Sequence, residues 1–432
     1  MKHRAALSSF ARIFRSPEAN YYHRDVLDAP KVYTDEYFKS LVDNKFNGIW
    51  IAGRLRDLVK TKTLPELGKN QGAHQKALRT VIDRAKTWGV KVYLYLNEPR
   101  CLPLNDPLFK HHPELRGQKD ISTMDEPEYG SAEVHAMCAS SQRTLDFLYE
   151  GAKNLFEECL GLGGLILITA SEHVTTCHSR SGWATGKGSL TCPRCLKSDI
   201  PALAAEIINQ LARGAWVSDP VAEIAAWNWS WHTHVEKDPQ RGLLAHLDPR
   251  VAVMADFERG GTRKVDGKKR FIDEYSLAYP GPSERFVKFR KESLKQKRPL
   301  YVKLQIGTTH EIATVEHLPL LHILWKKCDW MRTHRVAGTM ATWNFGNFFS
   351  MNTAAFNFFL GHSHASASQA LAAFTKSYFK KKIDLPKLQS AITSFEKAMS
   401  YYPFCHSFLY FSPANYAVAY PLDFPNPEKP MA

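Results

Sequence analysis

The alternation of short apolar runs with amphipathic segments constrains the fold of this chain more than any other feature. Eight runs are almost continuously apolar, which is the pattern of parallel strands covered on both faces. They span residues 47–53, 90–98, 134–140, 164–172, 222–231, 251–258, 300–307 and 337–346. Helical patterns occupy residues 73–89, 144–161, 199–213, 284–296 and 317–335. Eight strands alternating with helices predict an α/β protein with a (β/α)8 TIM barrel, and a doubly wound open sheet is the alternative.

The pattern changes after residue 360. The segments SASQALAAFTKSYF and DLPKLQSAITSFEKAMSYYPF predict two helices, and an aromatic, proline-rich tail follows them. We therefore predict a catalytic barrel over residues 1–360. Residues 361–432 are predicted to form a C-terminal helical appendage that packs on the barrel.

Charge and hydropathy restrict the partners of this chain of 432 residues. The net charge of +14 favours anionic ligands, but Lys and Arg are scattered and no nucleic-acid-binding signature accompanies them. We predict no nucleic acid partner, and an anionic-polymer binder is the alternative. No apolar stretch approaches the ~18 residues of a membrane helix, so no membrane partner is predicted. The N-terminus lacks a signal-peptide core, which predicts a cytoplasmic protein, or a periplasmic or secreted one if a leader has been removed. The oligomeric state is left open.

Polar and aromatic side chains accumulate at the predicted strand ends. The active site of a TIM barrel gathers at the C-terminal ends of its strands, and aromatic rings with amides, carboxylates and arginines suit a sugar. The stretch WNWSW places Trp227, Trp229 and Trp231 on one strand face, so some of them must serve packing. A carbohydrate is the predicted partner. Its predicted binding residues are Arg54, Asn97, Glu98, Ser171, His173, Trp229, Asp256, Gln305, Trp343 and Asn344.

The segment CASSQRTLDFLYEGAKNLFEECLGLGGLILITASEH, residues 138–173, resembles the core of glycoside hydrolase family 20, the β-N-acetylhexosaminidases. The family has a helix of the type TxxFLxxxxxExxxLF and a following fourth strand that ends in an Asp-Glu pair. This segment matches the TxxFL start of that helix and the glutamate at the strand end. The resemblance extends in architecture over residues 35–350 and is stronger to a bacterial branch of family-20-like barrels than to the typical enzymes. It implies Glu172 as general acid/base, Arg54 as a ligand of sugar hydroxyls and Trp343 as part of the sugar pocket.

The residue before Glu172 departs from the family pattern. Family 20 has an aspartate there, which orients the 2-acetamido group of the substrate, whereas this chain has Ser171. A second carboxylate is then needed, and the candidates are Glu258 and Glu311, with Asp256 beside Glu258. We predict a glycosidase of the β-N-acetylhexosaminidase type that removes a terminal sugar, a hexosaminide-like or related hexoside, from a glycan. The alternative is a non-catalytic glycan-binding barrel that has lost the Asp-Glu pair.

A cysteine group follows the fourth predicted strand with the spacing C-x14-C-x2-C. Two thiolates two residues apart can bind one tetrahedral zinc ion. The predicted ligands of a structural zinc are Cys177, Cys192, Cys195 and His178. His173 or Cys138 are alternatives for the fourth ligand, and a disulfide or reduced core thiols are alternatives to the metal. No nucleotide-binding fingerprint is present, so no cofactor is predicted for catalysis.

Overall fold

The structure is a computed structural model that describes residues 10–19, 24–122, 132–171, 173–180, 190–272, 275–308, 310–312, 315, 317–343, 347–379 and 383–402. The chain forms two compact units. Unit 1 comprises residues 1–256, 285–303 and 336–340, and unit 2 comprises residues 257–284, 304–335 and 341–432. The division into a barrel of residues 1–360 and an appendage of residues 361–432 stays a prediction.

Eight parallel strands close into a barrel, which confirms the predicted (β/α)8 fold. Strands are numbered β1 to β13 along the described residues. The barrel strands are β1 (Ala11–Ile13), β2 (Gly48–Gly53), β3 (Lys91–Leu96), β7 (Gly164–Leu167), β8 (Glu223–Trp227), β9 (Ala252–Asp256), β12 (Leu300–Leu304) and β13 (Gly338–Ala341). They neighbour one another in this order, and β13 pairs with β1. Every residue of β7, β9, β12 and β13 is buried, which explains their continuous apolar pattern.

One predicted barrel strand was wrong and another was missed. The run 134–140 contributes β6 (Ala132–Met137), which pairs antiparallel with β4 (Leu102–Pro103) and β5 (Arg116–Ser122) in a separate sheet. This run is apolar because Val134, Ala136 and Cys138 are buried in a cluster with other cysteines. The barrel is completed by β1, whose 3 residues are too few to show a periodic pattern. Arg54 therefore follows the second barrel strand and not the first.

Helices follow the barrel strands along the chain. The described α-helices of residues 24–295 are α1 (Asp25–Val32), α2 (Asp35–Asp43), α3 (Leu55–Leu58), α4 (Gln71–Thr87), α5 (Leu108–His111), α6 (Gln142–Glu158), α7 (Ile200–Ser218), α8 (Trp231–His234), α9 (Arg241–His246) and α10 (Glu284–Lys295). Helices α6 and α7 pack closely because position 214 is glycine: a Cβ there would lie 2.1 Å from the carbonyl oxygen of Tyr149. The side chain of Asp199 caps the start of α7 by accepting a hydrogen bond from Ala202 N.

Unit 2 contains an antiparallel hairpin, β10 (Gly261–Val265) and β11 (Lys268–Ile272), and a group of helices. These helices are α11 (Leu321–Thr333), α12 (Met351–Gly361), α13 (Ala367–Tyr378) and α14 (Leu385–Ser400). Ser366 and Asp384 cap α13 and α14, so the two predicted C-terminal helices are present. None of the described helices is long and apolar enough to cross a membrane.

Candidate functional site

The ends of β2 and β3 in unit 1 carry a buried arginine and a buried glutamate. Arg54 donates through Nε to the carboxylate of Asp57. Glu98 accepts from Leu55 N at 2.6 Å and from Arg100 N at 3.1 Å, so both of its oxygens hold backbone N–H groups. Burial raises the pKa of Glu98, while these donors and nearby arginines lower it. These contacts make Glu98 a positioning group for the backbone that follows Arg54.

A hydrogen-bonded chain connects the end of β3 with the loop after β7. Ser171 Oγ donates to Asn97 Oδ1 at 3.1 Å, and the backbone N of His173 donates to Ser171 Oγ at 3.2 Å. All three residues are buried. These bonds hold both neighbours of position 172, whereas Glu172 itself lies outside the described residues. The serine that departs from the family pattern is thus a link between two barrel strands.

His173 is buried beside two arginines. Burial lowers the pKa of its imidazole well below the ordinary value, and Arg100 and Arg180 lower it further. A neutral ring can accept at one nitrogen and donate at the other. His173 therefore offers a neutral hydrogen-bonding group next to position 172.

The ends of β8 and β9 bring together an aspartate, an arginine and an indole. Asp256 Oδ1 accepts from Trp227 Nε1 at 2.9 Å, and Arg285 Nη1 lies 3.8 Å from Asp256 Oδ2. Arg285 Nη2 also donates to the carbonyl oxygens of Asn228 and Trp229. The Oδ2 atom of Asp256 and the Oδ1 atom of Asn228 are buried and accept no hydrogen bond from the described residues. Such acceptors can bind ligand hydroxyls.

The three tryptophans of WNWSW do not share one strand face, because β8 ends at Trp227 and Trp231 begins α8. Trp227 and Trp231 are fully buried, and Trp231 Nε1 donates to Thr169 Oγ1 at 3.1 Å. These two side chains therefore serve packing. Trp229 is partly exposed, which suits an aromatic platform for a sugar ring.

Sequence reasoning missed two arginines of unit 1. Arg15 follows β1, pairs with Asp25 at 2.7 Å and lies 3.8 Å from the ring centre of Trp50. It was missed because β1 is so short. Arg285 was missed because it lies at the start of α10 and not at a strand end; a basic residue in the first turn of a helix is unfavourable for the helix dipole and could have signalled a site.

In unit 2, Glu258 forms a buried ion pair. Its Oε1 accepts from Lys327 Nζ at 2.6 Å and from Gln305 N at 3.0 Å. Lys327 also donates to the carbonyl oxygens of Ser276 and Gln305, so its three donors are used. A buried carboxylate that pairs with a fully engaged lysine in this way suits a structural role.

Glu311 binds the loop of residues 276–278 in unit 2. Its carboxylate accepts from Ser276 Oγ at 2.7 Å, Leu277 N at 2.7 Å and Ala278 N at 3.2 Å. Burial nevertheless raises its pKa to about 6. The Trp343 ring lies 6.2 Å from that of Tyr275, and Asn344 is outside the described residues. The catalytic roles predicted for Glu258 and Glu311 stay predictions.

Four buried cysteines of unit 1 converge on one point. Their Sγ atoms all lie within 4.8 Å of one another, and the four residues are Cys138, Cys177, Cys192 and Cys195. The fourth member is Cys138 and not His178, whose Nε2 contacts Thr176 Oγ1 at 3.2 Å. Cys138 Sγ lies 3.8 Å from Cys192 Sγ and 3.6 Å from Cys195 Sγ, too far for the ~2.05 Å of a disulfide. Four such thiols can hold a metal ion.

A cleft of about 470 Å³ lies among the loops that follow β2 and β3 in unit 1. Its lining mixes apolar residues with acidic and basic ones, and the latter are Arg56, Asp57, Glu66, Lys69, Asp106 and His111. Its size is within the range of small-ligand sites.

Comparison with solved structures identifies similar barrels. A GH138 enzyme targeting pectin rhamnogalacturonan II superposes with a TM-score of 0.54 at 10% identity, over 90% of this chain and 43% of the other. Alpha-L-fucosidase isoenzyme 2 from Paenibacillus thiaminolyticus superposes with a TM-score of 0.44 at 13% identity, over 80% of this chain and 48% of the fucosidase. The glycoside hydrolase domain of PelA from Pseudomonas aeruginosa superposes with a TM-score of 0.39 at 10% identity, over 78% of this chain and 96% of that domain.

The similarity to the GH138 enzyme concerns the fold, because only 10% of the aligned residues are identical. The chain spans less than half the length of that enzyme and of the fucosidase. No protein-family model matches the sequence, and no curated protein matches it. Membership of family 20 stays a prediction.

Proposed function

We propose that this protein is a glycoside hydrolase with Glu172 as general acid/base. The supporting observation is the hydrogen-bonded chain of Asn97, Ser171 and His173, which holds both neighbours of position 172 after the fourth barrel strand. A general acid must be held at a fixed place beside the glycosidic oxygen. The strand ends of a TIM barrel are where such groups lie.

The second carboxylate of this proposal is Asp256. Glu311 uses both oxygens on the loop of residues 276–278, and Glu258 is paired with Lys327. The buried Oδ2 of Asp256 accepts no hydrogen bond from the described residues, and Arg285 Nη1 lies 3.8 Å from it. An ionised carboxylate can act as nucleophile or as base for a water molecule.

The proposed substrate is a glycan with a terminal hexosaminide-like or related hexoside unit. Trp229 would stack on the sugar ring, and Arg54 and Asn228 would bind hydroxyl groups. The resemblance to family 20 supports a hexosaminide, but Ser171 donates its hydroxyl to Asn97 and carries no negative charge for the acetamido group. A related hexoside fits this serine equally well.

A panel of aryl glycosides with leaving groups of different pKa tests the proposal. Glu172→Gln should lower kcat at least about 100-fold for poor leaving groups and much less for dinitrophenyl glycosides, which need no acid. Asp256→Asn should lower kcat both for glycosides with poor leaving groups and for dinitrophenyl glycosides. Glu157→Gln, on the exposed face of α6, is the matched control and should leave kcat unchanged. Equal turnover by wild type and Glu172→Gln would refute the acid assignment.

A non-catalytic glycan-binding barrel is the second candidate, and Ser171 in place of the family's aspartate favours it. It predicts sugar binding by the wild type without turnover of any aryl glycoside. Glycan-array binding lost in Trp229→Ala, together with absent hydrolysis, would decide for this candidate.

We also propose that the cysteine cluster holds zinc. Tetrahedral sites of four thiolates select zinc or iron–sulfur centres, and a closed site with no open position is structural when it holds zinc. Elemental analysis of the purified protein should give about one zinc ion per chain. A visible absorption band with stoichiometric iron would instead identify an iron centre.

A further inference from the structure

The cysteine cluster joins three parts of unit 1 that are distant along the chain. Cys138 lies between β6 and α6, Cys177 lies in the loop after β7, and Cys192 and Cys195 precede α7. A tetrahedron with ~2.3 Å zinc–sulfur bonds has edges of about 3.8 Å. The distances from Cys138 Sγ to Cys192 Sγ and Cys195 Sγ, 3.8 and 3.6 Å, match these edges.

Hydrogen-bond donors surround the sulfur atoms. Arg194 Nε donates to Cys138 Sγ at 3.2 Å, and Gln118 N donates to Cys177 Sγ at 3.3 Å. The Ser140 hydroxyl lies 3.3 Å from Cys195 Sγ. Reduced core thiols need no such donors, whereas four metal-bound thiolates carry excess negative charge that donors and a cation offset. The positions of these donors therefore suit a metal centre better than a set of core thiols.

The backbone around the cluster leaves no room for a larger residue. A Cβ at Gly117 would lie 2.5 Å from Cys177 Sγ and 2.5 Å from the carbonyl oxygen of Ala136. Strand β5, strand β6 and the loop that carries Cys177 thus meet at the sulfur atoms.

The same loop is joined to the sheet by backbone hydrogen bonds. Met137 N donates to Thr175 O at 3.2 Å, and Cys101 N donates to Val174 O at 3.0 Å. Cys177 follows position 172 by five residues, and Ser171 holds the other side of that position. A metal at Cys177 would therefore fix the downstream end of the segment that carries Glu172.

We propose that Cys138, Cys177, Cys192 and Cys195 form a tetrathiolate zinc centre that positions the loop of residues 173–180 beside the active site. The metal centre is inferred from the positions of the four cysteines alone, whereas its effect on catalysis rests on the proposed function. Zinc bound at this centre would have a structural role: it would hold the loop of residues 173–180 in place and would not contact the substrate.

The first experiment measures metal content in wild type and variants. Cys177→Ser and Cys192→Ser should lose the zinc, whereas Cys159→Ser, which removes a buried thiol outside the cluster, should retain about one ion per chain. Zinc-free native protein whose four cluster thiols all react with a thiol reagent would overturn the centre. Circular dichroism of each variant shows whether the barrel is still folded.

The second experiment measures hydrogen exchange with and without zinc. Amides of residues 173–180 should exchange at least about tenfold faster after chelation, while amides of β3 and β8 should keep their protection. Zinc added back should restore slow exchange. Unchanged exchange in the loop after complete zinc removal would overturn the positioning role.

Turnover of the best aryl glycoside completes the test. Chelation should lower kcat at least about tenfold, with recovery when zinc is returned. If zinc slows exchange of the loop but no glycoside is ever hydrolysed, the proposed function fails while the metal centre stands. If chelation leaves kcat unchanged in an active enzyme, the catalytic part of this proposal fails while the hydrolase stands.

Discussion

Asp256 and Glu311 are both buried carboxylates, but their donors differ. Glu311 accepts from one hydroxyl and two backbone N–H groups, and Asp256 accepts from one indole with a guanidinium nearby. A carboxylate whose oxygens are all engaged stabilises a loop, whereas one with an unused buried acceptor can bind a reacting group.

The pH dependence of stability should report the burial of Glu311. Burial raises its pKa from 4.5 to about 6, so its contribution is fully present below pH 4.5 and is lost as the pH rises through 6. The shift corresponds to about 2 kcal/mol. Urea unfolding at pH 4.5 and 7 should therefore show a smaller loss of stability in Glu311→Gln than in wild type.

Wild type must be compared with Glu311→Gln because the titration of Asp25 changes the stability in the same direction as that of Glu311. Burial raises its pKa to about 6 as well, and Arg15 opposes that shift. Asp25 contributes equally to wild type and to Glu311→Gln, so it cancels in the difference. Identical pH profiles for the two proteins would show that Glu311 is ionised at no cost in the folded state.

Strand β1 is the element that sequence periodicity could not identify. It has 3 residues, and a side chain supplies part of its pairing: Asn47 Oδ1 accepts from Arg12 N at 2.7 Å and Asn47 Nδ2 donates to Phe10 O at 3.0 Å. The amide of Asn47 thus binds the β1 backbone as a neighbouring strand would.

Substitution of Asn47 should weaken the attachment of β1. Asn47→Ala removes both hydrogen bonds and should lower the free energy of unfolding by about 1–3 kcal/mol. Asn47→Asp keeps the acceptor for Arg12 N and should cost less. Equal stability of wild type and Asn47→Ala in urea unfolding would contradict this role.

At the scale of the whole molecule, one carboxylate connects three barrel strands. Glu223 at the start of β8 accepts from the hydroxyls of Tyr93 in β3 and Tyr301 in β12, each at 2.7 Å, and from Lys91. Burial would raise its pKa, but these donors bring it below the ordinary value. The N-terminal face of a TIM barrel serves stability and not catalysis.

Glu223→Gln should therefore destabilise the barrel without affecting the chemistry. The amide has one acceptor oxygen instead of two, and the loss of charge-assisted hydrogen bonds should cost about 1–3 kcal/mol in urea unfolding. On a hydrolysed aryl glycoside kcat should remain that of wild type at 25 °C. A drop in kcat with unchanged stability would show that the N-terminal face acts on the site.

Much of the fold was predictable because most residues of seven barrel strands are buried, and such burial requires runs of apolar residues in the sequence. The run 134–140 misled for the same reason: a cysteine-rich cluster apart from the barrel strands imposes the same apolar pattern. Burial requires a strand to be composed of apolar residues. An apolar composition does not show whether the strand is buried in the barrel or in a separate sheet.

The sequence by itself determined that the chain forms an eight-stranded barrel with a C-terminal helical part, and that its strand ends carry carboxylates, amides and tryptophans. Tertiary structure alone decided which of these groups are engaged, because Lys327 and Glu258 are 69 residues apart and their pairing has no local signal. The same holds for Cys138, which joins Cys195 across 57 residues. Sequence spacing identifies metal ligands that lie a few residues apart, such as Cys192 and Cys195. A ligand that is distant along the chain, such as Cys138, is recognised only once the fold has brought it to the others.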